Sequence, residues 1–214
     1  MVTKGEGRRA RAVLTLVRHG ETRENAAGRW QGRSDSPLTE EGKRQAEQLA
    51  GRLRLRGPFA AIYASPLGRA LETARLVAPV LGDLAVRPAP GLVEYDFGEW
   101  DGLTPAELRA RGFWDRVARD PGFAPPGGEP FSEAARRVNG ALGAIAVAHV
   151  GERVVVVGHG LAFAAGLALL LDRDPLRAER YTLDNGGMAE LAMSLSLNLV
   201  RIDPVIACDM VETR

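Results

Sequence analysis

A chain of 214 residues, 45% of them hydrophobic and 26% charged, can bury a sizeable core, and its length favours one globular domain over residues 1–214. The 28 basic residues nearly balance the 27 acidic ones, which excludes the strong positive field that is typical of nucleic-acid-binding proteins. The longest apolar run, "GLAFAAGLALLL", is well short of the roughly 20 residues that cross a bilayer, so we expect no membrane partner.

The ends of the chain favour a cytoplasmic location. Residues 1–10 are predicted to be a flexible tail, and the apolar run after them is too short for a secretory signal. The single cysteine, Cys208, has no second thiol with which to form an intramolecular disulfide or a metal pair.

In the first half of the chain, predicted strands and helices alternate. The run "AVLTLV" before Arg18 predicts a strand, and apolar residues at helical spacing from Leu38 to Leu53 predict a helix. Next, "FAAIYAS" predicts a buried strand. The following stretch, "SPLGRALETARLVAPVLG", predicts a helix with Ser65 as its N-cap and Pro66 as its first residue.

The second half continues this alternation. Residues 101–128 predict short helices joined by a loop, and a longer helix is expected from about Phe131 to Val150. The β-branched run "RVVVVGHG" predicts a strand buried on both faces, with an apolar helix after it, and "GGMAELAMSLSLNLVRI" predicts two closing strands. The pattern predicts an α/β fold with a mostly parallel sheet and helices on both faces.

Two of the three histidines follow predicted strands in the same way. "LTLVRHG" and "VVVVGHG" each end an apolar strand in His-Gly, at His19 and His159. Because ligands of open parallel sheets bind beyond the carboxyl ends of the strands, we expect both rings at one rim. The third, His149, is expected to satisfy the carbonyl groups at the end of its helix.

Three charged residues are candidates for the same rim. Arg18 precedes His19, and Arg69 lies in the first turn of a predicted helix, where guanidinium and free N–H groups commonly hold phosphate. Taken alone, Arg69 is equally a surface residue paired with Glu72. Glu94 follows a short apolar run in "LVEYDFGEWDG", and taken alone it is more typical of a solvated loop.

Four motifs together resemble the histidine phosphatase superfamily, also called the phosphoglycerate mutase-like family. They span roughly residues 12–162 and read "RHGETRENAAGRWQGRSDSPLTEEGKRQA", "SPLGRALETA", "EYDFGEWDG" and "VGHG". The resemblance implies a three-layer αβα sandwich, in agreement with the alternation of elements.

The resemblance also implies roles for particular residues. His19 would be the nucleophile that accepts the phosphoryl group, and Glu94 would give a proton to the leaving oxygen and later activate water. The residues expected to bind the substrate phosphate are Arg18, Asn25, Gln31, Arg69 and His159. A histidine attacks through an unprotonated nitrogen, and neighbouring guanidinium groups favour the neutral ring. Two arginines and a histidine can stabilise the transferring phosphoryl group, so we expect no metal and no other cofactor.

The short segment after the acid motif is similar to the phosphatase branch. The predicted function is therefore a phosphomonoester phosphatase that acts on a small phosphorylated metabolite through a phosphohistidine on His19. The alternative is a 2,3-bisphosphoglycerate-dependent phosphoglycerate mutase. A non-catalytic phosphate-binding member would be expected to lack His19, Glu94 or His159, and all three are present.

Substrate choice is expected to depend on residues 101–130, a predicted substrate-covering insertion. Its candidate lid residues are Arg109, Arg111, Phe113, Trp114, Arg116 and Phe123, although an ordinary amphipathic cover helix explains any one of them equally well. Asp101 stands where the family more often has glutamate. The sequence indicates no oligomeric state.

Overall fold

The structure, a computed structural model, describes residues 11–196 and 199–203; the predicted tail and Cys208 lie outside them. A six-stranded sheet forms the centre of the described part, in the order β3-β2-β4-β1-β5-β6. The strands are β1 (Arg11–Arg18), β2 (Ala61–Ala64), β3 (Val86–Pro88), β4 (Arg153–Gly158), β5 (Met188–Ser196) and β6 (Leu199–Asp203). The first four in the order run parallel, whereas β5 and β6 pair antiparallel as the two predicted closing strands.

Helices connect these strands. The α-helices are α1 (Arg23–Ala26), α2 (Glu40–Arg54), α3 (Gly68–Val77), α4 (Pro105–Ala110), α5 (Phe113–Arg119), α6 (Phe131–Ala148) and α7 (Gly160–Leu171). Short 3-10 helices lie at Ala78–Leu81, Pro90–Leu92, Gly98–Trp100 and Pro175–Tyr181. Within the described ranges, no helix is long and apolar enough to span a membrane.

Alternate residues of β4 face opposite sides of the sheet. Val154 and Val156 join a core cluster with the apolar faces of α6 and α7, whereas Val155 and Val157 join a second cluster with those of α2 and α3. All four valines are fully buried. This arrangement confirms the predicted three-layer αβα sandwich and explains why the strand is apolar along its whole length.

The start of α3 differs from the prediction. The helix begins at Gly68 with Leu67 at its N-cap, and no side chain of the N-cap residue bonds the first turn. Instead, the carboxylate of Asp35, from a loop earlier in the chain, accepts N–H bonds from Gly68 and Arg69. The predicted cap, Ser65, follows directly after β2, and its hydroxyl oxygen lies 2.7 Å from a ring nitrogen of His159.

The register of three neighbouring strands determines which residues meet at the sheet rim. Arg18 is aligned with Gly158 across β1 and β4, and Ala64 is aligned with Val157 across β2 and β4. The residues that follow these pairs therefore emerge side by side at the carboxyl end of the sheet. They are His19, His159 and Ser65.

Candidate active site

The two rim histidines are in edge contact and almost fully buried. Their ring centroids lie 5.2 Å apart at an interplanar angle of 62°. His19 Nδ1 is 2.7 Å from the carbonyl oxygen of Gly20, and its Nε2 is 3.3 Å from Nε of Arg69. A carbonyl only accepts and a guanidinium only donates, so the proton is assigned to Nδ1 and the free lone pair to Nε2. Nε2 is thus the nitrogen that is able to attack.

Both rings are held in the neutral form. Burial, followed by the charges of Arg69 and Arg18, lowers the pKa of His19 well below the usual 6.5. Burial and the charge of Arg69 lower the pKa of His159 in the same direction. At neutral pH, His19 therefore retains the lone pair that a nucleophile needs.

Ser65 orients His159. Its Oγ accepts an N–H bond from Leu67 at 3.3 Å, which leaves its hydroxyl proton free for His159 Nε2. The hydroxyl is assigned as the donor in this bond, which places the ring proton of His159 on Nδ1. This Nδ1 is buried and has no hydrogen-bond partner in the described part of the protein. It is an N–H group directed at an acceptor that the chain does not supply.

Arg69 is a buried structural cation. Its side chain donates to the carbonyl oxygens of Gly32 and Ser34, each at 2.7 Å, and forms an ion pair with Asp35 at 3.2 Å. Together with the bond to His19, these partners occupy four of its five N–H bonds in the described chain. Because Arg69 is only 1% exposed, its interpretation as a surface residue paired with Glu72 is wrong.

Arg18 lies where it can reach a bound anion. One terminal nitrogen donates to the carbonyl oxygen of Leu183 at 2.8 Å, while its Nε is buried and finds no partner among residues 11–196 and 199–203. Gly160 makes room for it, since a Cβ there would lie 3.2 Å from the guanidinium carbon. Arg18 therefore combines a fixed position with an unused donor.

Glu94 is buried against the first turn of α7, so its interpretation as a solvated loop acid is wrong. Its Oε1 accepts N–H bonds from Tyr95 at 2.8 Å and Ala162 at 2.7 Å, and its Oε2 accepts one from Leu161 at 3.2 Å. Burial raises the pKa of this carboxyl, and the N–H bonds and Arg69 offset part of that effect. Oε2, with one long bond, has the greater capacity to carry a proton.

Asn25 and Gln31 line the same cavity as His19. Thr22 organises both, because it forms a capping box with Asn25 and its hydroxyl donates to Gln31 Oε1 at 3.1 Å. The amide nitrogen of Gln31 is buried without a partner in the structure described. Asn185, a residue that the sequence did not single out, donates to the carbonyl of His19 at 3.1 Å and to Asn25 at 3.0 Å.

The cavity encloses about 580 Å³, within the range of pockets that hold small ligands. One end contains the polar residues Arg18, His19, Asn25, Gln31 and Glu94. The rest of the wall consists of Trp30, Phe97, Trp114, Ala118, Gly160, Leu161, Ala164, Leu176, Ala178, Glu179, Thr182 and Leu183. No sequence motif identifies the wall residues between positions 176 and 183, which follow α7.

Trp114 alone among the six candidate lid residues lines the cavity. Phe113 is fully buried and packs against Phe97, while Arg111 and Arg116 cover the rings of Trp100 and Phe123. These arginines are held on aromatic faces and not directed at a ligand.

Gly20 and His149 have structural contacts. Position 20 requires glycine, because a Cβ there would overlap the carbonyl oxygen of Gly42. His149 bonds the side chains of Glu152 at 2.6 Å and Tyr63 at 3.1 Å, away from the cavity.

Asp101, the departure from the family pattern, supports the loop that holds Arg69. Its carboxylate accepts N–H bonds from Gly32 at 2.8 Å and Ser34 at 2.9 Å. The carbonyl oxygens of these same two residues bind Arg69. In the described residues, no cluster of three or more His, Cys, Asp and Glu side chains has the geometry of a metal site.

Comparison with known proteins identifies a matching family and two similar sequences. The sequence model of the histidine phosphatase superfamily (branch 1) matches residues 14–197. The "Bifunctional protein Rv2228c" of Mycobacterium tuberculosis is 42% identical over 161 residues, which are 74% of this chain but only 44% of that protein. The chain thus spans less than half the length of that relative. The "Probable phosphoglycerate mutase GpmB" of Yersinia pestis is 41% identical over 170 residues, 77% of each chain.

A solved structure matches over almost the whole chain. The mycobacterial glucosyl-3-phosphoglycerate phosphatase Rv2419c, in complex with VO3, superposes with a TM-score of 0.79 at 31% identity. The match covers 91% of this chain and 97% of the phosphatase.

Proposed function

Since this chain belongs to the histidine phosphatase superfamily, branch 1, we propose that it hydrolyses small phosphomonoesters through a phosphohistidine on His19. The observation that carries the proposal is a set of unpaired buried atoms: Arg18 Nε, Gln31 Nε2 and His159 Nδ1. Buried polar groups normally have partners, so three unpaired nitrogens around one nucleophile call for a ligand. A phosphoryl group supplies the acceptor oxygens that all three lack.

In the proposed first step, Nε2 of His19 attacks phosphorus in line with the leaving oxygen. The P–O bond breaks as the P–N bond forms, and Glu94 gives its proton to the departing alkoxide. Arg18 and His159 stabilise charge on the equatorial oxygens, and Arg69 adds a nearby positive charge. Entry of the phosphate must displace the long 3.3 Å bond between Arg69 and His19, because that bond occupies the attacking lone pair.

In the second step, water attacks the phosphohistidine. The ionised carboxylate of Glu94 takes the proton from the water, the P–N bond breaks and phosphate leaves with His19 neutral again. The raised pKa of Glu94 suits both roles, because a carboxyl near a dianionic phosphate is more readily protonated than one in water. The same residue therefore serves as acid first and as base afterwards.

The cavity supports a phosphatase more than a mutase. A phosphoglycerate mutase must hold a glycerate carboxylate in addition to the phosphate. Arg18 is the one arginine or lysine among the described residues that line the cavity, and the phosphate requires it. The similarity to a probable phosphoglycerate mutase keeps isomerisation as the second candidate.

The test measures phosphate release from a panel of phosphorylated metabolites that includes 3-phosphoglycerate. Conversion of that compound to its 2-isomer is measured in parallel, with and without 2,3-bisphosphoglycerate. We expect release without isomerisation, and loss of both in folded His19→Ala. His149→Gln is the matched control, because His149 lies outside the cavity.

Cofactor-stimulated isomerisation that outpaces phosphate release would establish the mutase instead. Unchanged release by His19→Ala would overturn the phosphohistidine mechanism.

A further inference from the structure

We propose that the alcohol released by this phosphatase is apolar or aromatic and carries no negative charge. This inference rests on the proposed phosphatase function and concerns the part of the cavity beyond the phosphate. Most of that part of the wall is formed by aromatic and aliphatic side chains. Such a surface stabilises a ligand by removing the ligand's apolar area from water. A small hydroxylated metabolite has too little apolar area to benefit from this.

Three aromatic rings form one side of this wall. Trp30 packs edge-on against Phe97, with centroids 5.8 Å apart, and against Trp114 at 6.0 Å. Trp114 is 41% exposed, an unusual degree for a large aromatic side chain that also packs against Phe113. Its exposed surface lies at a ligand cavity, so an aromatic ligand would cover it.

Aliphatic side chains also line the cavity. Leu161 and Ala164 come from α7, and Leu176, Ala178 and Leu183 come from the segment that follows it. Leu161 itself bonds Glu94 through its backbone N–H, and Ala164 follows two residues after Ala162, the other α7 residue that bonds Glu94. The apolar wall therefore begins beside the proposed proton donor. An ester bound at His19 would therefore direct its alcohol along an apolar surface.

The charges around this space disfavour an anionic alcohol. Arg18, at the phosphate end, is the only arginine or lysine in the described cavity wall. Glu179, an exposed residue, also lines the cavity and forms no ion pair or hydrogen bond with the residues the structure describes. Its neighbours Arg177 and Arg180 pair with Asp174 and Asp172 instead.

A substrate carboxylate or second phosphate in this space would lose water without gaining a cation, and it would meet the charge of Glu179. An uncharged ring has neither penalty, and an ammonium group would be attracted. The geometry therefore favours neutral or cationic aromatic esters over phosphoglycerates.

The experiment compares three esters with the same primary alcohol at the reacting end. They are 3-phenylpropyl phosphate and its derivatives with a carboxylate or an aminomethyl group at the para position. We expect kcat/KM for the carboxylate to be lower than for the parent by about tenfold or more. The amine should be at least as good a substrate as the parent. Ethyl phosphate serves as the small reference ester.

Two variants assign the selectivity to the wall. Glu179→Gln should reduce the penalty on the carboxylate relative to the parent ester, whereas Glu47→Gln, on the exposed face of α2, should leave that ratio unchanged. Trp114→Ala should lower the ratio of 3-phenylpropyl to ethyl phosphate by about tenfold, mainly through KM. Thermal unfolding checks that each variant is folded.

The possible failures are distinguishable. Preference for 3-phosphoglycerate or for the carboxylate ester, with phosphate still released, would overturn this inference and leave the phosphatase intact. Absence of release from every ester, ethyl phosphate included, would overturn the proposed function and this inference with it. A carboxylate penalty that persists unchanged in Glu179→Gln would remove Glu179 from the explanation and overturn the charge argument.

Discussion

Replacement of Glu94 by glutamine tests the proposed acid without removing its bulk. The side chain keeps its shape but has no proton to give to an alkoxide. With an alkyl phosphate we expect kcat/KM to fall by about 10²- to 10⁴-fold, the usual contribution of a positioned general acid. With 4-nitrophenyl phosphate the fall should be much smaller, because 4-nitrophenolate departs without being protonated.

The Glu94→Gln substitution is also expected to lower the stability of the fold, because Glu94 bonds the backbone. Its two oxygens accept three backbone N–H bonds, from Tyr95, Leu161 and Ala162. A glutamine that keeps its oxygen in the Oε1 position retains the first and third, but its NH₂ then faces the N–H of Leu161. The partly buried N–H of Leu161 loses its acceptor and the amide N–H that faces it gains none there, at a cost of about 1–3 kcal/mol in the free energy of unfolding.

The assay follows kcat/KM for both esters across pH, together with urea unfolding. kcat/KM reports the steps up to phosphorylation of His19, so a slow second step does not disturb the comparison. The wild type should lose activity toward the alkyl ester at alkaline pH as Glu94 loses its proton, and the variant should lack that limb. Glu99→Gln, an exposed neighbour, is the matched control. Equal losses on the two esters would refute the assignment of Glu94 as proton donor.

Three further results are expected. Ser65→Ala should lower kcat about tenfold with little change in KM, because His159 loses the bond that fixes its tautomer; ring-nitrogen NMR of His159 provides the direct check. Gly20→Ala should destabilise the protein by about 1–3 kcal/mol or more in urea unfolding, since the new Cβ overlaps the backbone of Gly42. Acidification should destabilise the fold as the pH falls below 6.5, because His19 and His159 bind protons readily only when unfolded. The loss should approach about 1.4 kcal/mol per pH unit for each ring until its folded pKa is reached, and a double variant with glutamine at both positions should lose less.

Each of these has a contrary outcome. An unchanged His159 spectrum in Ser65→Ala would mean that another contact fixes the ring. For Gly20, the comparison is Gly51→Ala, in α2, where a Cβ meets nothing within 4 Å and alanine should be tolerated or slightly stabilising. Equal costs at the two glycines would contradict the steric argument. If the double variant were as acid-sensitive as the wild type, other groups would account for the pH dependence.

The strands, and the rim at their carboxyl ends, were predictable because the hydrophobic pattern of the sequence and the geometry of parallel strands indicate the same arrangement. The unbroken valine run of β4 implies burial on both faces, and parallel strands end at the same edge, which brings His19 and His159 together. Glu94 and Arg69 were ambiguous because a charged residue taken alone is most often at the surface. The ion pair and carbonyl contacts that bury Arg69 come from residues 32–35, and nothing in the local sequence of α3 specifies them.

Ser65 shows most clearly what local sequence patterns cannot predict. In "SPLGR", a serine followed by proline is typical of the start of a helix. Nothing in the neighbouring sequence indicates another partner for the serine hydroxyl. Its actual partner, His159, is 94 residues away, and the contact depends on the register of β2 against β4. Arg111 and Arg116 were similarly misleading as lid candidates, because the aromatic faces of Trp100 and Phe123 hold them.

The position of β4 between β2 and β1 has a consequence for the nascent protein. Neighbouring strands lie about 4.8 Å apart, so β1 and β2 can take their final places only with a gap of about 10 Å that a strand far later in the chain must fill. Such non-local pairing is slow to form, and before it happens His19 and Arg69 have no His159 beside them. The last strand to enter the middle of the sheet therefore also completes the proposed phosphate site. A chain still emerging from the ribosome would therefore lack the proposed activity until its own folding is finished.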